Sequence, residues 1–404
     1  MKIGIFLEGS PKMGGGFFQS LKSSHLIFDI KKYQSSLELI ATDVNTSFYF
    51  SKKNFSKKLY IPNILNRYFS ELFEIDNLKD IFNKLKIIHP FTKFIKKNRY
   101  DLIIFLGPSK MAKYCGGINF VANIWDLDHK KNSLFPEHTF NHNYENKEKL
   151  IKEIVYRAFK IVVAHKNNKK DIIDFYKVPE ENILVQNFIP MLPSIYEKDD
   201  ISKLTFSKIF NNFNLPKDKK IIFYPAQFWP HKNHKYIIDA AKKLIQNKEF
   251  RYHFVFCGGK KGNFNFINDL IKKEKLQKHI SIFNFLKDEE IISLYLNSNA
   301  VVMPTYCGPT NLPIYESFYF KKIIFYTKNL IKDDLINDHL IQIDLSSPED
   351  FCKKLEICFD LQKIKEITED NFKYYNSVCS EDTFKDNYQN ILDNFFYLTK
   401  RWKN

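Results

Sequence analysis

The chain has few cysteines, no long apolar run and no short-period repeat, and each shortage excludes something. Six cysteines are scattered over 404 residues: Cys115, Cys257, Cys307, Cys352, Cys358 and Cys379. None forms a Cys-x-x-Cys pair or another metal-ligand spacing. That argues against a metal cluster and for a reducing, cytosolic compartment. Cys257 ends an apolar run and reads as a core thiol. No apolar run approaches the roughly 18 residues that span a bilayer. The opening "MKIGIFLEGS" has too short an apolar stretch for a signal peptide. A meeting with a membrane is therefore expected only from the side. No nucleic-acid recognition motif is visible either.

What is present is a globular composition with a strong basic excess. A hydrophobic fraction of 44%, with 16% aromatic, supplies a sizeable core and excludes a disordered chain. The length allows two domains. Net charge is +16. Nucleic acid, an anionic membrane surface or phosphorylated ligands would each account for it. Most lysines come singly or in pairs, such as Lys242-Lys243, on what read as solvated helix faces.

Near-continuous apolar runs alternate with helical patterns in both halves. Strands are expected at 2–7, 37–41, 101–107, 119–125, 160–165 and 182–186, and again at 220–226, 252–258, 280–285, 300–304, 322–326 and 340–345. Such runs are buried on both faces, which means parallel sheets covered by helices. Between them, residues 234–246 place Ile237, Ile238, Ala241, Leu244 and Ile245 on one helical stripe. Two doubly wound α/β domains follow, at 1–200 and 201–382, with a closing helix at 383–404 packed back on the first. The polar, Pro-containing stretch 187–219 holds the boundary. Ligands of open parallel sheets sit at the carboxyl ends of the strands, so the informative residues should lie just after strands.

Three such turns stand out in the second half. In "YPAQFWPHKNH" (224–234) Lys232 stands where a helix begins, a position that suits phosphate oxygens and that a plain surface lysine also occupies. His231 and His234, three apart, lack a visible third metal ligand and read better as turn histidines. In "FNFLKDEE" (283–290) an acid-capped helix follows a strand. In "PTYCGPTNLPIYES" (304–317) Gly308 and Pro309 set a tight turn, Thr310 and Asn311 can cap a helix, and Pro313 costs little in its first turn. The free amides there favour an anion. Glu316 can accept hydrogen bonds from the two hydroxyls of a ribose, or simply stabilise the helix dipole. In the first half, the amides of Gly15 and Gly16 in "MGGGFFQS" (13–20) can approach a phosphate or an acceptor, unless the loop is a bare turn.

Taken together, "YPAQFWPHKNHKYIIDAAKKL", "NFLKDEEIISLYLNSNAVVMPTYCGPTNLPIYESF" and "GGGFFQS" resemble family 4 glycosyltransferases, which have the GT-B fold of two Rossmann-like domains facing across a cleft. The resemblance covers most of 220–330 and, more loosely, the first domain. It implies that Lys232 binds the donor diphosphate and Glu316 the ribose. Thr310 and Asn311 would present amides to the phosphates, and Leu286 and its neighbours would contact the base through their backbone. Many members carry Arg-x4-Lys where this chain has Gln227 ahead of Lys232, and Glu-x7-Glu where it has Gly308 ahead of Glu316. A His-Asp pair that often faces the donor sugar is matched by Trp125-Asp126, with His129 one turn later. Asp126 or His129 would hold the sugar or acceptor, and a structural loop role remains open for His129.

The resemblance implies a retaining transfer from a nucleotide-diphosphate sugar to a glycan or lipid-linked acceptor, as in bacterial cell-surface polysaccharide synthesis. Lys232 and helix amides would do the work of a metal, so no cofactor and no nucleic-acid partner are expected. A catalytically impaired glycan-binding relative and a basic nucleic-acid-binding protein stand as alternatives. The lysines of 51–60 and 77–99 suggest peripheral docking on the inner face of the cytoplasmic membrane. Within 77–99 the apolar Ile81, Phe82, Leu85 and Ile88 read first as a core-facing helix stripe.

Overall fold

The structure is a computed structural model that describes residues 1–10, 14–50, 56–197, 203–246, 250–308, 311–328, 330–331 and 334–401. Its contacts divide the chain into two units. One holds Met1–Leu127, Glu145–Asn187 and Glu381–Asn404; the other holds Asp128–Tyr144 and Phe188–Ser380. The second unit thus starts before residue 201 and also takes in Asp128–Tyr144.

The first unit is built on seven parallel strands: β1 (Ile3–Leu7), β2 (Leu37–Ala41), β3 (Lys57–Leu59), β4 (Leu102–Phe105), β5 (Asn119–Asn123), β6 (Lys160–Val163) and β7 (Ile183–Val185). Their order is β3-β2-β1-β4-β5-β6-β7. β1 and β2 are buried along their whole length, as continuous apolar runs require. β3 escapes the sequence reading because "KKL" is exposed throughout and carries no apolar signal. It is an edge strand, and lysines there blunt the open edge. The helix Glu381–Thr399 belongs to this unit. Its Asn387 amide donates to Gln186 Oε1 at 2.9 Å, and Phe395 meets Phe159 edge-on at 5.1 Å.

The second unit has six parallel strands: β8 (Lys220–Pro225), β9 (Tyr252–Cys257), β10 (Ile280–Phe283), β11 (Ala300–Met303), β12 (Ile323–Thr327) and β13 (Ile341–Ile343), in the order β10-β9-β8-β11-β12-β13. The stripe of helix His234–Gln246 buries Ile237, Ile238, Ala241 and Leu244, while Ile245 at its edge is exposed. The stretch 187–219 is more than a linker. It holds the helices Met191–Tyr196 and Lys203–Asn211, and Phe206 is fully buried in this unit's core, its carbonyl accepting from Ser293 Oγ at 2.7 Å. Phe206 and Phe210, four apart, both meet that core, a helical spacing that the reading of the stretch as a polar boundary passed over.

Both sheets reverse their strand order once, between β1 and β4 and between β8 and β11. The carboxyl ends of strands at such a reversal form the ligand crevice of an open parallel sheet. In the second unit these ends lead into the turn at 226–233 and the turn at 304–311.

The expected core stripe in 77–99 is partly overturned. Phe91 and Ile95 are fully buried and Phe82 packs on the core, but Ile81 and Leu85 are 46% and 65% exposed, and Ile88 is exposed too. The chain breaks after Lys84 and restarts at Pro90, so one continuous stripe is never formed.

Candidate active site

The turn after β8 is a short helical turn, Pro230–Lys232, closed by Asn233 at φ 54°, before the helix His234–Gln246 starts. Lys232 therefore stands in the turn itself, two residues ahead of the long helix. The Tyr224 hydroxyl donates to the Lys232 carbonyl at 2.5 Å, and the Lys232 amide donates to the Trp229 carbonyl at 3.0 Å. These bonds fix the backbone from which the side chain leaves. Gln227 is half-buried, and its Oε1 accepts from the Trp229 indole N–H at 2.9 Å. It is engaged in shaping the turn.

Lys232 Nζ donates to Asn311 Oδ1 at 2.9 Å. This bond joins the turn after β8 to the turn after β11. Asn311 precedes the helix Leu312–Tyr319, yet its side chain makes no capping bond. Its amide instead donates to the Gly308 carbonyl and to the Tyr326 hydroxyl, each at 2.8 Å, and that hydroxyl donates to the Gly308 carbonyl at 2.7 Å. The expected capping role of Asn311 is thus replaced by a bridging one. Gly308 sits at φ 98°, and a Cβ there would come within 2.9 Å of the Asn311 amide nitrogen. The glycine that stands in place of an acid is therefore required by geometry: a side chain here meets both backbone strain and the Asn311 bridge. Thr310 lies outside the described residues. At the start of helix Leu312–Tyr319 the Ile314 amide donates to the Asn311 carbonyl at 3.0 Å and Pro313 has no N–H, which leaves the Leu312 amide without a partner inside the helix.

Glu316 is in the second turn of that helix, and no acid occupies the first. This removes the reading as a helix-start acid. Glu316 is buried and its Oε2 accepts from the Tyr295 hydroxyl at 2.6 Å. Burial pushes its carboxyl up to about 7, against the pull of the Tyr295 bond. A carboxylate kept this dry, with no ion-pair partner among the described residues, is costly for the fold.

Leu286 packs half-buried on the same core. Its backbone bonds the Cys257 thiol, and the thiol donates to the Asn284 carbonyl at 3.6 Å. Burial pushes this thiol up to about 12, which fits a core role. Gly258 brings β9's end against the turn after β8. A Cβ there would lie 2.2 Å from the Ala226 carbonyl oxygen, so only glycine fits.

His231 and His234 do not form a metal pair. His234 is buried, stacked on Phe228 at 4.4 Å, and burial lowers its pKa to about 3. His231 points to Glu137, whose Oε1 accepts from the His231 backbone N–H at 3.0 Å and lies against ring Nδ1. Among the described residues no cluster of metal-binding side chains occurs.

The remaining predicted residues divide between the units. Gly15 and Gly16 open the helix Gly15–Phe28 of the first unit, after Gly14 at φ 84°. Gly15 is exposed. A Cβ on Gly16 would come 2.8 Å from the Trp125 ring, and Trp125 equally crowds Gly107. Asp126 is half-buried in that unit. His129 is buried in the second, its ring 5.5 Å from Tyr144. The structure thus brings together Lys232 and Asn311 between the ends of β8 and β11, while the Gln227 side chain bonds Trp229 and Glu316 bonds Tyr295. Glu137, Tyr295 and Tyr326 escaped the sequence reading. Their importance comes from partners 15 to 94 residues away, and no local spacing announces those.

Residues 205–376 match the family model of glycosyl transferases group 1. The glycosyltransferase from Rickettsia africae ESF-5 is similar over 98% of both chains, with 17% identity and a TM-score of 0.70. The Anabaena protein HepE, solved in complex with UDP and glucose, is similar over 98% of this chain and all of its own, with 16% identity and a TM-score of 0.71. WaaG, a glycosyltransferase involved in lipopolysaccharide biosynthesis, shares 12% identity over 95% and 98% of the two chains, with a TM-score of 0.65. No curated protein matches the chain in sequence. At these identities the likeness carries the fold, and the domain match carries the class. The chain has the GT-B architecture of two Rossmann-like parallel-sheet units, its residues 205–376 match the group 1 glycosyltransferase model, and it is a glycosyltransferase.

Proposed function

We propose that the chain is a retaining glycosyltransferase of the family 4 type that draws its sugar from a nucleotide-diphosphate sugar. The observation that supports this most is the Lys232 to Asn311 bond at 2.9 Å, which holds an ammonium at the amide end of helix Leu312–Tyr319. A cation and helix N-terminal amides at one point favour a diphosphate. The complex of HepE with UDP and glucose supports the same donor class.

In this reading Lys232 leaves Asn311 for the diphosphate and, with the amides of helix Leu312–Tyr319, stabilises the charge that builds on it. The bond from the sugar's anomeric carbon to the diphosphate breaks. The acceptor hydroxyl forms the new bond on the same face and passes its proton to a phosphate oxygen. Glu316 accepts from the ribose hydroxyls, and Leu286 meets the base through its backbone. Gln227 shapes the turn, while Asp126 or His129 contacts sugar or acceptor, and Gly15 and Gly16 approach the acceptor or a phosphate. No metal is needed, so activity should survive a chelator.

A glycan or lipid-linked acceptor in cell-surface polysaccharide synthesis fits the surface of the first unit. Helix Ile64–Leu72 packs Phe69 on the core but leaves Ile64, Leu65 and Tyr68 71%, 77% and 67% exposed. Exposed Lys57, Lys58, Arg67, Lys84 and Lys86 accompany them. Apolar side chains beside basic ones suit the inner face of an anionic membrane, each basic group near the surface adding about 1 kcal/mol. No helix among the described residues is long and apolar enough to cross a bilayer.

Thermal-shift measurements against UDP-, GDP-, dTDP- and ADP-sugars test the donor class. A ligand at 100 times its dissociation constant adds about 2.7 kcal/mol. A flat response to all four would reject the reading.

A further inference from the structure

The segment Asp128–Tyr144 is contributed from the first half of the chain but belongs to the second unit. Among its ties there is the carboxylate of Glu137. Glu137 lies in the short helix Pro136–Thr139, and its side chain is only 9% exposed. Its Oε1 takes the backbone N–H of His231 at 3.0 Å and faces the ring Nδ1 of the same residue. Burial and the neighbouring Lys232 charge lower the His231 pKa to about 4, so the ring is neutral at neutral pH and its Nδ1 tautomer donates to the carboxylate. Bonds from His231 and from its own backbone hold Glu137 ionised against burial.

His231 is also a junction. Its carbonyl accepts from the Tyr306 N–H at 2.8 Å and from Thr305 Oγ1 at 3.3 Å. Phe135 packs on Tyr306 with ring centres 5.4 Å apart, and His138 stacks near His231. Three segments distant in sequence therefore meet on one residue: 135–138, 230–232 and 305–306. The residue next to it is Lys232.

We propose that Glu137 is a positioning residue for the donor diphosphate: by gripping both the backbone and the ring of His231, it fixes the turn from which Lys232 reaches Asn311 and the helix amides. This rests on the reading of Lys232 as the diphosphate ligand. A two-point grip matters because one bond leaves the turn free to rotate, and an ammonium displaced from a polyanion loses directed hydrogen bonds. Glu137 itself touches no phosphate in this scheme. Its charge would repel one at close range, and its Oε1 is already engaged by the backbone and ring of His231.

The test is calorimetry with UDP, GDP, dTDP and ADP, taking the tightest binder of the wild type and its own nucleoside, on four full-length proteins: wild type, Glu137→Ala, Glu137→Gln and Lys232→Ala. Melting temperature is read alongside. Glu137→Ala should weaken the diphosphate about tenfold and leave the nucleoside within about twofold, because the loss is confined to the phosphate end. Glu137→Gln keeps an oxygen acceptor at the Oε1 position and should stay within about threefold of wild type for both. A purely structural role would lower both affinities together and follow the melting temperature, and that result overturns the proposal. So does unchanged diphosphate binding in Glu137→Ala while Lys232→Ala is weakened. If none of the four diphosphates binds the wild type, or if Lys232→Ala binds like wild type, the donor reading itself falls and takes the proposal with it. If Glu137→Ala does not fold, Glu137→Asp, whose shorter side chain withdraws the carboxylate from both His231 contacts, takes its place: loss of diphosphate but not nucleoside affinity carries the proposal, and unchanged binding of both overturns it.

Discussion

Gly14 and Gly308 make an instructive pair. Each has positive φ, 84° and 98°, and each precedes a helix at the reversal of its sheet. They differ in what surrounds them. Beside Gly308 everything is polar and bonded: its carbonyl takes the Asn311 amide and the Tyr326 hydroxyl, and Asn311 in turn holds Lys232. Next to Gly14, the helix opens under the Trp125 ring, which comes so close to Gly16 that a methyl would not fit. One glycine turn supports a charge; the other makes room for an indole. The same local pattern, glycine before a helix, is therefore no guide to chemistry until the neighbours are known.

The comparison breaks first at Glu316, the acid on the Gly308 side. Glu316→Gln should lower transferase activity about 10- to 100-fold, the cost of removing a charged hydrogen-bond acceptor. Its effect on the fold should have the opposite sign. The folded carboxyl titrates at about 7 rather than 4.5, so between those values the folded chain holds the proton more tightly than the unfolded one. The stability this supplies is present below pH 4.5 and lost as pH rises through 7. Melting curves at pH 5 and pH 8 should show the variant about equal to wild type in acid and several degrees higher in base. A variant that is active, or less stable at pH 8, contradicts the assignment.

Next come the glycines. Gly16→Ala forces a methyl against the Trp125 ring and should cost about 1–3 kcal/mol. Trp125→Leu in the same chain should recover part of it. Gly308→Ala should cost about 1–2 kcal/mol through its φ alone, with diphosphate affinity falling as Asn311 is pushed aside. Denaturant unfolding and calorimetry on both variants separate the two kinds of turn. Equal loss of diphosphate binding in Gly16→Ala would erase the distinction. The smallest change in stability is expected at Leu65→Asp. The residue is 77% exposed, so unfolding should shift by no more than about 0.5 kcal/mol. Co-sedimentation with anionic vesicles at low salt should nevertheless drop. Undiminished binding would reject this helix as the docking face.

Much of the architecture was legible because parallel strands covered on both faces must be apolar throughout. Runs such as 37–41 and 252–257 could be little else. The exposed edge strand Lys57–Leu59 was not, since it has no apolar run, and the helices within 187–219 were passed over because their few apolar residues, Phe206 and Phe210 among them, lie among polar ones. At the site, Lys232, Asn311 and Glu316 could be picked out as polar residues just after apolar strands. What could not be read was how they are held. Asn311 was expected to cap a helix and instead bridges Lys232 to Tyr326. Glu316 was placed near a helix start and instead lies a turn deeper against Tyr295. Glu137 left no trace in its own neighbourhood, because its partner His231 is 94 residues away. Strand burial is a local property of the chain; the bonding of a turn is not.

The central claim is that Lys232 grips a diphosphate. Calorimetry of Lys232→Ala with the tightest-binding nucleoside diphosphate and with the matching nucleoside tests it most directly. The account predicts a loss of roughly 1.5–3 kcal/mol for the diphosphate, the worth of a charge-assisted contact, with the nucleoside almost unchanged. Equal diphosphate affinity in variant and wild type would contradict it.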